Sequence, residues 1–282
     1  LYNISAKEVA IGDLNNDKIP DTLIYSNPDT NNQISIVIKL ANNQDVSTKR
    51  SFQYTLSEQY GYIKIIDNGC IRIFQSGTTG GSNKYYSFYK YNNKFNNWYC
   101  TKKIYYAQGV GIEMPHIEIT YPDGTDGVDG SKINSSQAKT ISKDEREKYY
   151  QNKLTQMHAK LMVLYRNKKT SSIPQEFFEV ILLAELKKNV PVTIENVEQY
   201  NNIAFIIGLS NDGYYSSAYL LKYIISVIPS RTVAYLNLGD AYSGMQDSSE
   251  AKRMYLQYIT LMRKDGKESK IPKRVKDFVQ NN

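Results

Sequence analysis

Between residues 21 and 121 apolar and polar positions alternate, and after residue 141 apolar positions recur every three or four residues, so the chain changes character once. In the first stretch, runs at 33–40, 51–56, 61–66, 70–75, 84–91 and 96–106 are rich in Ile, Tyr and Phe and predict half-buried strands. Gly-rich and Asn-rich breaks between them predict an antiparallel meander; the break at 76–82 lacks the Gly-Lys-Ser/Thr ending of a phosphate loop and reads as a hairpin connection. The tyrosines of these strands read as packing and rim residues, or as a face on which a ligand stacks. Residues 122–140 hold Asp123-Gly124, Asp126-Gly127 and Asp129-Gly130 without a core pattern, which predicts a linker. The expected division is therefore a β domain over 1–121, a linker over 122–140 and an α-helical domain over 141–282.

The helical half opens on Ser142 and Glu145, a capping-box pair, after which Tyr150, Leu154, Met157, Leu161 and Tyr165 fall on one face. A second helix is expected from Pro174, burying Phe177, Phe178, Ile181, Leu182 and Leu186. A third is capped by Thr193 and carries Val197, Tyr200, Ala204 and Ile207; Asn211-Asp212-Gly213 turns the chain into a fourth, Tyr214–Val227, ended by Pro229. Two more apolar-periodic segments flank the polar turn 246–249, with Tyr235, Leu238, Gly239 and Tyr242 before it and Ala251, Tyr255 and Tyr258 after it. A turn this short forces the two helices antiparallel.

This last pattern resembles the tetratricopeptide repeat (TPR): an aromatic, Leu-Gly three residues on, Tyr three further, then Ala and an aromatic. Tyr258 and Arg263 stand where that family has a small residue and a Pro. Ser217, Leu221 and Ile224 precede Ala251, Tyr255 and Tyr258 by about one repeat length of 34. The resemblance implies an all-α TPR-like solenoid of three helix pairs ending in a polar cap at 272–279. Its first helices would line a protein-binding groove, with Leu236, Asn237, Asp240 and Ser243 facing inward.

A second resemblance is local. Asp13, Asn15, Asp17 and Asp21 occupy positions 1, 3, 5 and 9 of a loop between two apolar runs, with the Ile19 carbonyl as a further oxygen. The string is similar to the calcium loop of FG-GAP and VCBS-type repeats, with Lys18 in place of the usual Gly. It implies a bound calcium ion; the alternative is a cation-free turn held by side chain to backbone hydrogen bonds. The expected fold class is thus α+β, with a propeller-like or sandwich-like meander followed by the helical solenoid.

At 282 residues, 41% of them hydrophobic, the chain is long enough for two cores, and no apolar run reaches the ~18–20 residues of a membrane span. The net charge of +7 is modest and spread out. It concentrates in Lys264, Lys267, Lys270, Lys273, Arg274 and Lys276, a solvated face with Phe278 as the one aromatic near it, so nucleic acid is not expected as a partner. The chain starts at Leu1 rather than Met, which fits removal of a signal peptide or truncation. Cys70 and Cys100 are the only cysteines; a disulfide is expected, the alternative being two buried thiols. No nucleophile elbow, HExxH or nucleotide fingerprint occurs, His116 and His158 lie in different halves, and Glu113, His116 and Glu118 read as surface strand charges.

Together these readings point to a non-enzymatic protein-binding module of the bacterial envelope, periplasmic or secreted. An inhibitor or immunity-type protein that neutralises a toxin or effector fits best. The alternatives are a calcium-stabilised carbohydrate-binding or adhesion module and a hydrolase.

Overall fold

The structure is a computed structural model and describes residues 8–27, 29–31, 33–41, 48–56, 60–66, 69–76, 83–108, 115–138 and 141–281. The chain divides into two compact units, Leu1–Ile141 and Ser142–Asn282. The first is built from antiparallel sheets and the second from helices. Among the described residues no helix is long and apolar enough to cross a membrane.

The alternating segments form two meanders. Strands β1 (Glu8–Gly12), β2 (Asp21–Tyr25), β3 (Gln33–Leu40) and β4 (Thr48–Thr55) lie side by side in that order, and so do β5 (Tyr60–Ile66), β6 (Cys70–Ser76), β7 (Lys84–Asn92), β8 (Asn97–Ala107) and β9 (His116–Thr120). Every neighbouring pair is antiparallel. Because strand side chains alternate, Ile34, Ile36, Ile38 and Leu40 all leave β3 on one face. There they share a single core with Leu23, Ile63, Ile71, Ile73, Tyr89 and Trp98 from the other strands, and β1 packs beside β5. Each such side chain contributes roughly 1.5–3 kcal/mol by leaving water.

The stretch read as a linker belongs in good part to this unit. β9 pairs with the end of β8, and the bare half of β8 is taken by Gly127 opposite Tyr99, with Val128 N–H bonded to the Trp98 carbonyl (2.8 Å) and Cys100 N–H to that of Asp126 (2.9 Å). Val128, 2% exposed, plugs the core. Gly124 and Gly130 supply the positive φ that these turns require. One buried valine amid polar turns leaves no periodicity to read.

The expected disulfide is absent. Cys70 on β6 and Cys100 on β8 are separated by β7, where they lie opposite Lys90 and Tyr89, and both are buried and not joined to each other. Two strand spacings of ~4.8 Å put their backbones about 10 Å apart, beyond the ~7 Å limit for a bridge. Burial pushes the Cys100 thiol up to about 11. Unfolding under non-reducing conditions will therefore release two thiols to Ellman's reagent. Release of none would restore the bridge.

In the second unit the helices are α1 (Lys143–Arg166), α2 (Val180–Asn189), α3 (Val197–Ile207), α4 (Tyr214–Val227), α5 (Thr232–Gly244), α6 (Ser248–Lys264) and α7 (Lys273–Asn281). The capping box closes as expected: Ser142 Oγ accepts from Glu145 N–H (3.1 Å) and Glu145 accepts from Ser142 N–H (2.9 Å). Two starts differ from expectation. Pro174 opens a 3-10 turn, Gln175–Phe178, that buries Phe177, and α2 begins only after Glu179. Asn196 rather than Thr193 takes the cap position of α3, and its carboxamide oxygen accepts from the Thr193 amide (2.8 Å).

The packing follows chain order. α1 lies against α2 and α3, α3 against α4 and α5, α5 against α4 and α6, and α7 against α6; α2 also meets α4. The α5–α6 approach is closest at Gly239, where an added Cβ would sit 2.5 Å from the Tyr255 ring.

Candidate functional site

The residues expected to face a groove all lie on α5. Leu236 and Ser243 are half-buried there, and Asn237 is 8% exposed. Asp240 is committed: it accepts from the Tyr255 hydroxyl (2.7 Å) and forms a two-pronged ion pair with Arg274 of α7, one arm at 2.9 Å. The pair holds Arg274 above its ordinary value, and burial followed by the Asp240 bond pushes the Tyr255 phenol up. Phe278 adds an edge-on contact to the Tyr255 ring at 5.1 Å. Asp240 thus fastens the last helix onto the stack.

The seam between α1 and α3 presents a different set. Tyr165 and Phe205 meet edge to face at 5.5 Å across it, and nearer the start of both helices His158 Nε2 lies 3.3 Å from Asn202 Nδ2. These side chains are exposed or half-buried, so the seam offers two aromatic rings beside a polar pair. Asn202 and Phe205 went unread in the sequence. The signal was their i, i+3 spacing off the buried stripe of Tyr200, Ile203, Ala204 and Ile207. Burial lowers the His158 pKa, with Arg166 acting in the same direction and Glu198 against it. A depressed histidine favours the fold above its unfolded value, and that contribution is lost as pH falls through the folded value. An NMR titration will place His158 below 6.5, the ordinary value; a midpoint above it contradicts this geometry.

The aspartate loop between β1 and β2 is closed by its own hydrogen bonds. Asp13 accepts from the amides of Asp17 (3.2 Å) and Lys18 (3.0 Å), and Asp17 accepts from the Ile19 amide (2.8 Å) and the Asn15 carboxamide (2.9 Å). Asn16 and Lys18 carry positive φ, 64° and 69°, to make the turn. Asp21, expected as the ninth-position ligand, is fully buried and spans the amides of Leu14 (2.7 Å) and Ala41 (2.9 Å). Burial raises its pKa, against the lowering by those two amides. Every carboxylate oxygen of Asp13, Asp17 and Asp21 already accepts a bond, and among the described residues no three His, Cys, Asp or Glu side chains gather as a metal set. These bonds close the loop as the cation-free turn does, through side chain to backbone hydrogen bonds. Millimolar calcium will leave the melting temperature unchanged, and Asp21→Ala will cost about 1–3 kcal/mol by orphaning two amides. A calcium-dependent rise of more than about 3 °C overturns this reading.

On the face of the second sheet opposite Ile63, Ile71 and Ile73, a ladder of rings runs across β5, β6 and β7. Tyr62 stacks on Phe74 at 4.6 Å and Phe74 leans on Tyr86 at 5.1 Å, with the Arg72 guanidinium 5.9 Å from both tyrosine rings. His116 and Glu118 share an exposed face of β9 and bond at 2.9 Å; Glu113 and the Gly-rich turn 77–82 lie outside the described residues. Comparison of the chain with protein-family models, with curated proteins and with solved structures returns no match.

Proposed function

We propose that the helical unit is a TPR-like solenoid that binds another protein, and that the chain is an inhibitor or immunity-type protein of the bacterial envelope. The observation that carries the reading is the packing order. α1, α3 and α5 touch in succession as first helices of three pairs, α2 and α4 touch behind them, and α7 closes the end. That order is what stacking of antiparallel helix pairs produces, and it leaves the first-helix row available to a partner. The Tyr165–Phe205 pair gives this row the aromatic anchor that protein interfaces favour. Leu236 continues the row on α5, whereas Asp240 serves α7. Placement in the envelope and the toxin partner both rest on analogy with small envelope proteins of this kind.

The full chain immobilised as bait will capture one protein from an envelope extract, which re-forms a one-to-one complex when purified. Phe205→Glu will weaken that complex by about 2 kcal/mol or more, roughly thirtyfold. Capture that survives Phe205→Glu and Tyr165→Glu unchanged removes the first-helix row from the account. The ring ladder Tyr62–Phe74–Tyr86 favours a second reading, carbohydrate binding, because sugars stack on such rings. Glycan binding that disappears in Tyr62→Ala and Tyr86→Ala would establish it.

A further inference from the structure

Behind the first-helix row, α4 and α6 each pack on α5 and leave a pocket of about 370 Å³ between them. Its floor is Tyr235 and Leu238 of α5 with Met254 of α6, which are 7%, 2% and 5% exposed. Its walls are Lys222, Ile225 and Ser226, at i, i+3 and i+4 on α4, facing Arg253 and Gln257 on α6. An apolar cavity of ~150 Å³ already takes a benzene ring, so this one has room for an aromatic side chain and the backbone that carries it.

The mouth is basic. Glu250 is already tied to Arg253 by two bonds, at 3.0 and 2.5 Å. Lys222 acts on the same Glu250 carboxylate through space, so one acid faces two cations. One net positive charge thus remains above an apolar floor, on a chain whose net charge is +7. We infer that this pocket binds an aromatic side chain carried on an acidic segment of a partner protein, the ring entering over Tyr235 and Met254 and a flanking carboxylate meeting Lys222. Ring-on-ring and sulfur-on-ring contacts favour an aromatic over an aliphatic anchor. The charges steer the segment and exclude basic ones. This site shares the helix α5 with the proposed partner row but uses none of Tyr165, Phe205 and Leu236, so it stands or falls apart from the function proposed above.

The test uses the full chain and a fluorescein-labelled hexapeptide with one phenylalanine between glutamates. Controls replace the glutamates by lysines or the phenylalanine by glycine. Anisotropy will saturate with the acidic phenylalanine peptide below about 1 mM, while both controls bind at least tenfold more weakly. Lys222→Glu, on an exposed position, will weaken binding about tenfold, and Ser226→Trp, which fills the mouth, will abolish it with the circular dichroism unchanged. In methyl-labelled protein the Met254 resonance will shift with the same midpoint. No saturation by 1 mM, equal binding of the lysine peptide, or binding indifferent to both substitutions overturns the inference. So does a saturating titration that leaves the Met254 methyl in place.

Discussion

Trp98→Ala will destabilise the sheet unit by about 3–5 kcal/mol, enough to unfold much of it at 37 °C. Trp98 is fully buried, lies 5.1 Å from the Tyr91 ring, and donates its indole N–H to the Leu14 carbonyl at 2.9 Å. That bond ties the β1–β2 loop of one sheet to β8 of the other. Truncation empties the core between the sheets and orphans the Leu14 carbonyl, and the two costs add. Trp98→Phe keeps most of the ring and loses the bond, so it will cost less, about 1–3 kcal/mol. Because the chain has one tryptophan, urea unfolding of the variants is followed by circular dichroism, and that of the wild type by fluorescence as well. A loss below 1 kcal/mol for the alanine variant contradicts the shared core.

Gly239→Val will cost the helical unit about 3 kcal/mol, the upper end for overpacking. An ordinary helix position would gain from losing a glycine, by up to about 1 kcal/mol with alanine. Here the new Cβ meets Tyr255 Cδ1 and Cε1 at 2.5 Å, and ring and backbone cannot both stay in place. If Tyr255 swings away it leaves Asp240 and Phe278, so α7 loosens with it. Limited proteolysis will show early cleavage near residues 265–272 in this variant, together with the lower midpoint in urea. An unchanged midpoint would mean that α5 and α6 do not approach as described.

The parts of this architecture visible in the sequence are those where one residue's environment repeats at a fixed period. Alternation from Gln33 to Leu40 located β3 at both ends, and Tyr150, Leu154, Met157 and Leu161 gave the buried face of α1. The Leu238-Gly239 pair and Tyr255 marked the tight crossing of α5 and α6, because only a residue without a side chain tolerates the ring there. What stayed hidden depends on partners far apart in the chain. Asp21 stands with Asp13 and Asp17 in the sequence pattern, which does not show its bond to Ala41, 20 residues on. Asp240 read as a groove residue because Arg274, 34 residues later, carries no pattern that points back to it. Val128 was one apolar residue among turns, and the even count of cysteines could not reveal that β7 runs between them. The seam pair Tyr165 and Phe205 needs α1 and α3 side by side, a relation that follows from stacking and not from either helix alone.

The contacts of α5 also explain why one short motif matters beyond its length. Gly239 sets how near α6 comes to α5, Tyr255 carries that spacing to Asp240, and Asp240 holds α7 through Arg274. A partner laid along α1, α3 and α5 would meet a row fixed by these buried contacts, with little ordering left to oppose binding.

Hydrogen–deuterium exchange of the full chain, alone and in complex with the captured partner, tests the binding claim most directly. Slowed exchange in α1, α3 and α5, centred on the segments that carry Tyr165, Phe205 and Leu236, is the predicted footprint. Protection confined to the strands of the first unit, with those three helices unchanged, would contradict it.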